Sequence, residues 1–284
     1  MKATTDCVVC LFRQALNTAR VATSDAAAHS RILLRLAAEV PHLSLDQTPA
    51  AMSKIVYSIV SEVTGVADPY QDLKRKTNEA ALRVLTDLEQ AVLSAPDALD
   101  AAVHLAVAGN IIDLGIGHAF DIDTDIRALM GQPFAIDALA QFRAELSPGK
   151  KVLYLGDNAG EIVFDRVLVE RLLDAGLHVT FSVKSGPIIN DATRADAEDC
   201  GLTSLVRVIE TGSDDIGIHW DHISDEFRAA AAEADILIAK GHGNFETCCE
   251  RPENFYFLLK AKCEVVARRL NVRCGDVVFQ HGGV

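Results

Sequence analysis

Asp157 and Asn158 follow a run of apolar residues in Lys151-Val152-Leu153-Tyr154-Leu155-Gly156-Asp157-Asn158-Ala159-Gly160-Glu161. Val152–Leu155 reads as a buried strand, the Gly-bounded segment as a turn, and Ile162 onward as a helix. In open α/β sheets, ligands sit at the carboxyl ends of the strands, beside helix N-termini. There the pair offers two hard oxygen ligands where anions are favoured, an arrangement that holds a metal against a phosphate. The plain structural alternative is an Asx-turn in which Asn158 caps the helix and Glu161 completes a capping box. Asp191 follows the next predicted strand, in Lys184-Ser185-Gly186-Pro187-Ile188-Ile189-Asn190-Asp191-Ala192-Thr193. Alone it reads as an N-cap; paired with Asp157 it supplies a second carboxylate. Two carboxylates and an amide oxygen form a hard set, suited to magnesium or manganese rather than zinc.

Lys240-Gly241-His242-Gly243-Asn244-Phe245-Glu246 reads as a glycine-bounded loop after a further strand. Its glycines admit close backbone approach, and Lys240 would meet a phosphate as a point charge. His242 reads as a hydrogen-bonding residue rather than a ligand. Asn110 and Asp113 interrupt the apolar stretch Gly109–Gly115, where they either tie two parts of the chain together or reach into the site. Thr211–Gly217 reads as a simple turn, and His219, Trp220 and His222 as a packed loop. Cys7 and Cys10 share a helix face without partners for a zinc site nearby, and read as small apolar residues lying away from the polar clusters. Cys248 and Cys249 read as structural. Neither a phosphate-binding G-x-x-x-x-G-K-[ST] loop nor a G-x-S-x-G nucleophile elbow occurs.

The elements that must carry these residues change character along the chain. Residues 1–108 read as helices: one from Cys7 to Ala22, one capped by Ser24-Asp25, one opened by Thr48-Pro49 and ended by Gly65, one after Asp68-Pro69, and one after Pro96-Asp97. Residues 109–149 form a connecting region with short helices around 123–130 and 136–146. From 150 to 284, strands at Val152–Leu155, His178–Val183, Leu205–Ile209, Ile236–Ala239, Phe255–Leu259 and Val277–Phe279 alternate with helices. That alternation predicts an α/β fold: a helical N-terminal part followed by a Rossmann-like, three-layer α/β/α, mostly parallel sheet.

The net charge of −13 argues against nucleic acid as the main partner. It is compatible with a small anionic substrate, because a metal and one lysine can dominate a pocket locally. No apolar run approaches the roughly 20 residues of a membrane span, and Met1-Lys2 leads into no apolar signal region. Seven scattered cysteines suit reduced thiols better than a disulfide framework. A cytoplasmic location is the expectation; the oligomeric state is left open.

Four motifs in this order resemble the DUF89 family, the damage-control phosphatases, also called the ARMT1-like metal-binding domain family: Gly109-Asn110-Ile111-Ile112-Asp113, Gly156–Glu161, Pro187–Thr193 and Lys240–Glu246. Phe257–Cys263 and the N-terminal Cys-x-x-Cys add to the resemblance, the latter typical of the shorter prokaryotic members. The resemblance implies hydrolysis of phosphomonoesters of small metabolites with magnesium, manganese, cobalt or nickel. It implies metal ligation by Asp157, Asn158 and Asp191, and phosphate contact by Lys240. Asn110 and Asp113 match the family's other site motif, and with Asn244 are candidates for substrate binding. Glu161 and Glu246 would stand behind the ligands. His242 departs from the Gln of the common form, which bears on substrate preference more than on chemistry.

On this reading Asp157, Asp191 and Lys240 carry the chemistry. Two nucleophiles fit, a metal-positioned water or the carboxylate of Asp157 itself. A Rossmann-type nucleotide-cofactor enzyme such as a methyltransferase would use the same strand–turn–helix with a closer glycine fingerprint. A non-enzymatic metal or thiol module built on Cys7 and Cys10 is the remaining alternative.

Overall fold

The computed structural model describes residues 1–109 and 131–283. Five helices open the chain: α1 (Thr5–Ala22), α2 (Ala26–Glu39), α3 (Pro49–Thr64), α4 (Gln71–Ser94) and α5 (Ala98–Ala108). Their boundaries follow local chemistry. The Thr48 hydroxyl accepts from Ala51 N at 3.1 Å, Pro49 stands in the first turn, and Gly65 closes α3 at φ +72°. Asp97 caps α5 by accepting from Asp100 N.

Seven strands form one sheet: β1 (Ile136–Asp137), β2 (Lys151–Leu155), β3 (His178–Val183), β4 (Arg207–Glu210), β5 (Ile236–Lys240), β6 (Phe255–Lys260) and β7 (Val277–His281). Their order is β1-β7-β6-β5-β2-β3-β4, parallel except where β6 meets β7. The remaining helices are α6 (Leu139–Glu145), α7 (Glu161–Asp174), α8 (Arg194–Asp199), α9 (Leu202–Leu205), α10 (Asp225–Glu233), α11 (Gly241–Cys248) and α12 (Glu264–Leu270).

Both faces of the sheet are covered, which is why its strands read as continuous apolar runs. Val152 and Tyr154 point into a core shared with α4, α5, α7, α8 and α9. Leu153 and Leu155 point into the opposite core, with Phe227 of α10, Phe245 of α11 and Val266 of α12. Helices α1, α2 and α3 have a third core of their own, around Leu11, Ile32 and Val56. Thus α4 and α5, grouped with the helical part by their periodicity, share a core with the sheet.

Four local expectations need correction. Ile136–Asp137 is an edge strand paired with β7, and the helix starts only at Leu139. Leu205 ends a short helix, so β4 begins at Arg207. Asp191 is not a helix cap: α8 starts at Arg194 behind a capping box between Thr193 and Asp196. The segment after Lys240 is the helix α11 rather than a loop, because Gly241 takes φ +78° and the chain turns directly into it.

Candidate functional site

The strand order locates a crevice. From β2 the chain moves outward to β3 and β4, then returns to place β5 on the other side of β2. Helix α7, leaving β2, packs on one face, and α11, leaving β5, packs on the other. The carboxyl ends of β2 and β5 therefore part at a topological switch point, where ligands bind in such sheets. Asp157 and Asn158 follow β2 and Gly241 follows β5.

Backbone pairing adds the loop after β3. Asn158 and Asp191 form an isolated antiparallel bridge, Ala192 N donates to Asp157 O at 2.8 Å, and Ala159 N donates to Asn190 O at 2.8 Å. Asp191 is thereby locked beside the Asp157-Asn158 turn. Its loop holds Ile189 at φ +44°, a conformation that a β-branched residue adopts only under strain, at a cost on the order of 1–3 kcal/mol.

The β2–α7 turn is fastened from α4. Asn78 accepts from Gly160 N at 2.6 Å and donates to Asp196 at 2.9 Å. Gly160 leads α7 without a side-chain cap, so the capping box considered for Asn158 and Glu161 does not form. Instead the Asn158 amide donates to Asp157 Oδ2 at 3.1 Å and to Glu161 Oε1 at 2.8 Å. Asn158 Oδ1 is then the amide atom suited to a cation. Gly241 is required here for a second reason: a Cβ on it would lie 1.8 Å from Asp157 Oδ2.

Electrostatics mark the cluster as incomplete without positive charge. Burial, then the Glu161 and Asp191 carboxylates, push Asp157 well above the usual carboxylate range. Burial also raises Asp191, against the charge of Lys184, with Glu161 adding to the rise. Lys184 Nζ lies 3.8 Å from Asp191 Oδ2 and donates to Gly217 O. A divalent cation among Asp157, Asn158 and Asp191 would relieve this repulsion, so the donor set fits a hard metal ion.

A cavity of roughly 890 Å³ opens over Asp157, Asn158 and Asp191. Its far wall comes from the helical part, including Cys7, Cys10 and Arg13 of α1 and Pro49 and Ala50 of α3. The thiols expected to lie away from the polar clusters therefore line the same cavity, and Cys10 is exposed rather than packed. Cys248 and Cys249 are both buried. A second cavity, of roughly 450 Å³, lies at the amino ends of β2 and β3, near Lys151 and His178, away from these groups.

Lys240 sits beneath the cluster. Its side chain is fully buried, with Nζ 2.5 Å from Asp165 Oδ1 and 3.7 Å from Glu161 Oε2. Burial works against its charge, but Asp165 and Glu161 outweigh it and raise the pKa. Asp165 also accepts from Tyr154 Oη at 2.8 Å. The ammonium expected to meet a phosphate is thus engaged in the floor, and Lys240 does not line the cavity. Asn244, a candidate for substrate binding, spends its Nδ2 on the carbonyls of Gly156 and Lys240 and ties the two strand-end turns together. Glu246 lines the cavity, and burial pushes its carboxyl up to about 7. Asn110 and Asp113 lie outside the described residues; Gly109, just before them, packs against Glu161, where a Cβ would lie 3.3 Å from its Cα.

Arg13, Lys262 and Arg268 line the cavity, and of these basic groups only Lys262 falls in a motif of the resemblance, Phe257–Cys263, which assigns it no role. Lys262 follows β6, lines the cavity and acts on Asp157 electrostatically. Its backbone N donates to His242 Nε2 at 2.9 Å. Burial, then the charge of Lys262, pushes His242 down to about 4, so its ring is neutral, and the same Nε2 also lies 2.8 Å from Lys260 O. The signal available was position: Lys262 follows a strand whose carboxyl end faces the same way as those of β2 and β5.

Residues 3–278 match the family described as the damage-control phosphatase ARMT1-like domain. A damage-control phosphatase of Pyrococcus horikoshii, PH1575, is 34% identical over 283 residues, spanning 98% of this chain and 97% of that protein. A damage-control phosphatase of Archaeoglobus fulgidus is 34% identical over 288 residues, spanning 98% of each. An uncharacterized protein of Methanocaldococcus jannaschii, MJ0202, is 34% identical over 290 residues, spanning 98% of this chain and 95% of that one. The crystal structure of the Pyrococcus horikoshii protein, described as a DUF89 family protein, superposes with a TM-score of 0.92 at 32% identity over 99% of both chains. The expected family and the expected α/β architecture are both borne out, and this chain belongs to the damage-control phosphatase ARMT1-like domain family.

Proposed function

We propose that this protein is a metal-dependent phosphatase that hydrolyses phosphomonoesters of small, damaged metabolites such as sugar phosphates. Family membership supports the reaction class and the need for a metal. One observation carries the site: the bridge that locks Asp191 against Asp157 and Asn158 at the switch point, under an open cavity.

Asp157, Asn158 and Asp191 would hold the ion, magnesium, manganese, cobalt or nickel. When bound it supplies charge neutralisation and orients the ester and water. Lys262, after β6, and Arg13 of α1 both line the cavity and would draw the phosphate in. Helix α11 starts beside Asp157, with His242 and Gly243 on the cavity, so its first backbone N–H groups would stabilise the developing charge on the phosphoryl oxygens. Lys240 acts from below, holding Glu161 and Asp165 and so fixing the floor on which Asp157 rests. Asn244 joins the β2 and β5 turns so that the two halves of the site keep their spacing.

The test is a panel of sugar phosphates, nucleotides and phosphopantetheine-like esters, assayed with each metal. Asp157→Asn and Asp191→Asn should each remove metal-dependent turnover while leaving the circular dichroism spectrum unchanged. Full turnover in both variants would overturn the assignment.

A further inference from the structure

Outside the cavity, on the connection from β4 to α10, three more donors converge. Asp215, His219 and His222 each present one ligand atom, and these atoms all lie within 4.8 Å of one another. By spacing alone these residues belong to a turn and a packed loop; the structure brings them into one cluster.

The cluster is built rather than incidental. His222 N donates to His219 O at 2.8 Å, a turn that brings the two rings together, stacked with centroids 5.3 Å apart. Asp215 is buried; its Oδ2 lies 3.1 Å from His222 Nδ1 and its Oδ1 lies 2.5 Å from Lys54 Nζ of α3. The flanks are anchored as well. Ile218 N donates to Thr247 Oγ1 at 2.9 Å, and the Trp220 ring lies under the Arg251 guanidinium at 4.1 Å. Gly217 packs so tightly that a Cβ would lie 2.2 Å from Gly243 O.

We propose that Asp215, His219 and His222 bind a zinc-class divalent cation, at a second site separate from Asp157, Asn158 and Asp191. Two imidazoles and a carboxylate are borderline donors that favour zinc, cobalt or nickel over magnesium. Three protein ligands leave a position for water. Lys54 keeps one carboxylate oxygen and so orients the other toward the ion.

The ion would pin a loop with reach. Ile216 lines the catalytic cavity, and Gly217 O accepts from Lys184, whose ammonium faces Asp191. This inference goes beyond the phosphatase reading and stands independently of it.

Cobalt(II) titration of the metal-stripped protein tests it, read by visible absorption and bound stoichiometry. Wild type should bind two equivalents, one giving the intense bands of a four-coordinate, imidazole-bound ion that zinc bleaches. His219→Gln and His222→Gln should each weaken that equivalent by more than the roughly 10–100-fold that loss of an outer-shell partner costs. Asp157→Asn should leave it intact while weakening the other. His222 is exposed and His219 half-buried, so melting in chelator should stay close to wild type in both variants. Unchanged bands and affinity in both histidine variants, or a single equivalent lost with Asp157→Asn, would overturn the proposal.

Discussion

A lysine with no exposed surface cannot be judged by its charge alone. Lys240 pairs with Asp165, itself fully buried, and the pair sits where water does not reach. Breaking such a pair leaves an uncompensated buried charge, at a cost of about 3–5 kcal/mol. Lys240→Met should therefore lower stability by that order in chemical denaturation, and Lys240→Met with Asp165→Leu should recover much of it. Equal stability of Lys240→Met and wild type would show that the pair does not hold the floor. On the proposed reading, the charges available to substrate are at Lys262 and Arg13, which both line the cavity. Lys262→Ala should raise KM for a phosphomonoester about tenfold, the equivalent of roughly 1.4 kcal/mol, with a smaller change in kcat and a weaker dependence on salt. An unchanged KM would remove Lys262 from substrate capture. The metal-ligand candidates were legible because Asp157 and Asn158 stand two and three residues past an apolar strand and Asp191 lies in the loop that follows another. Lys240 stands at the same kind of position, but its rotamer is decided by Asp165, four residues past the visible motif Gly156–Glu161 on the buried face of α7, and periodicity does not reveal that partner.

At the scale of elements, the site depends on three strand ends and the segments that leave them. The β2 and β5 ends part because α7 and α11 pack on opposite faces of the sheet. Strand and helix alternation made most of this predictable, since buried parallel strands are apolar runs bounded by turns. What the sequence hid were contacts between segments far apart in the chain. The bridge from Asn158 to Asp191 and the clamp of Asn78 on Gly160 join residues with no local signal of each other. Helix α11 was concealed by its glycines, which read as a loop although Gly241 serves to admit the Asp157 carboxylate. Gly241→Ala should accordingly abolish metal-dependent turnover, since the new methyl would occupy the place of Asp157 Oδ2 and the φ of +78° is strained for alanine. The comparison that checks this is metal affinity by calorimetry beside the melting temperature. Wild-type affinity in the variant would mean that the carboxylate has another position open to it.

For the molecule as a whole, the helical part and the sheet meet at the cavity, and Glu246 belongs to that junction. Burial raises its folded pKa to about 7 from an ordinary value of 4.5. The folded state thus binds the proton more tightly than the unfolded chain. The stability this gives is fully present below pH 4.5 and is lost as the pH rises through 7. Glu246→Gln should leave the melting temperature near wild type at pH 5 and raise it at pH 8, by on the order of 2 kcal/mol in stability. A difference independent of pH would show that Glu246 does not titrate in that range. No helix of the described residues is long and apolar enough to cross a membrane. Helices α1 to α3 bury apolar residues in a core of their own and along the cavity, while Val9, Val21 and Leu34 stay exposed. The division of the cavity wall has a consequence for how such an enzyme diversifies. The floor that carries the candidate ligands Asp157, Asn158 and Asp191 is built on strand ends of the sheet, whereas Cys7, Cys10 and Arg13 line the cavity from a helix with a core of its own. Exchanging residues on that one helix face can retune which leaving group is admitted while the reaction stays the same. A protein facing a changing inventory of chemical debris could acquire new targets there without rebuilding its catalytic centre.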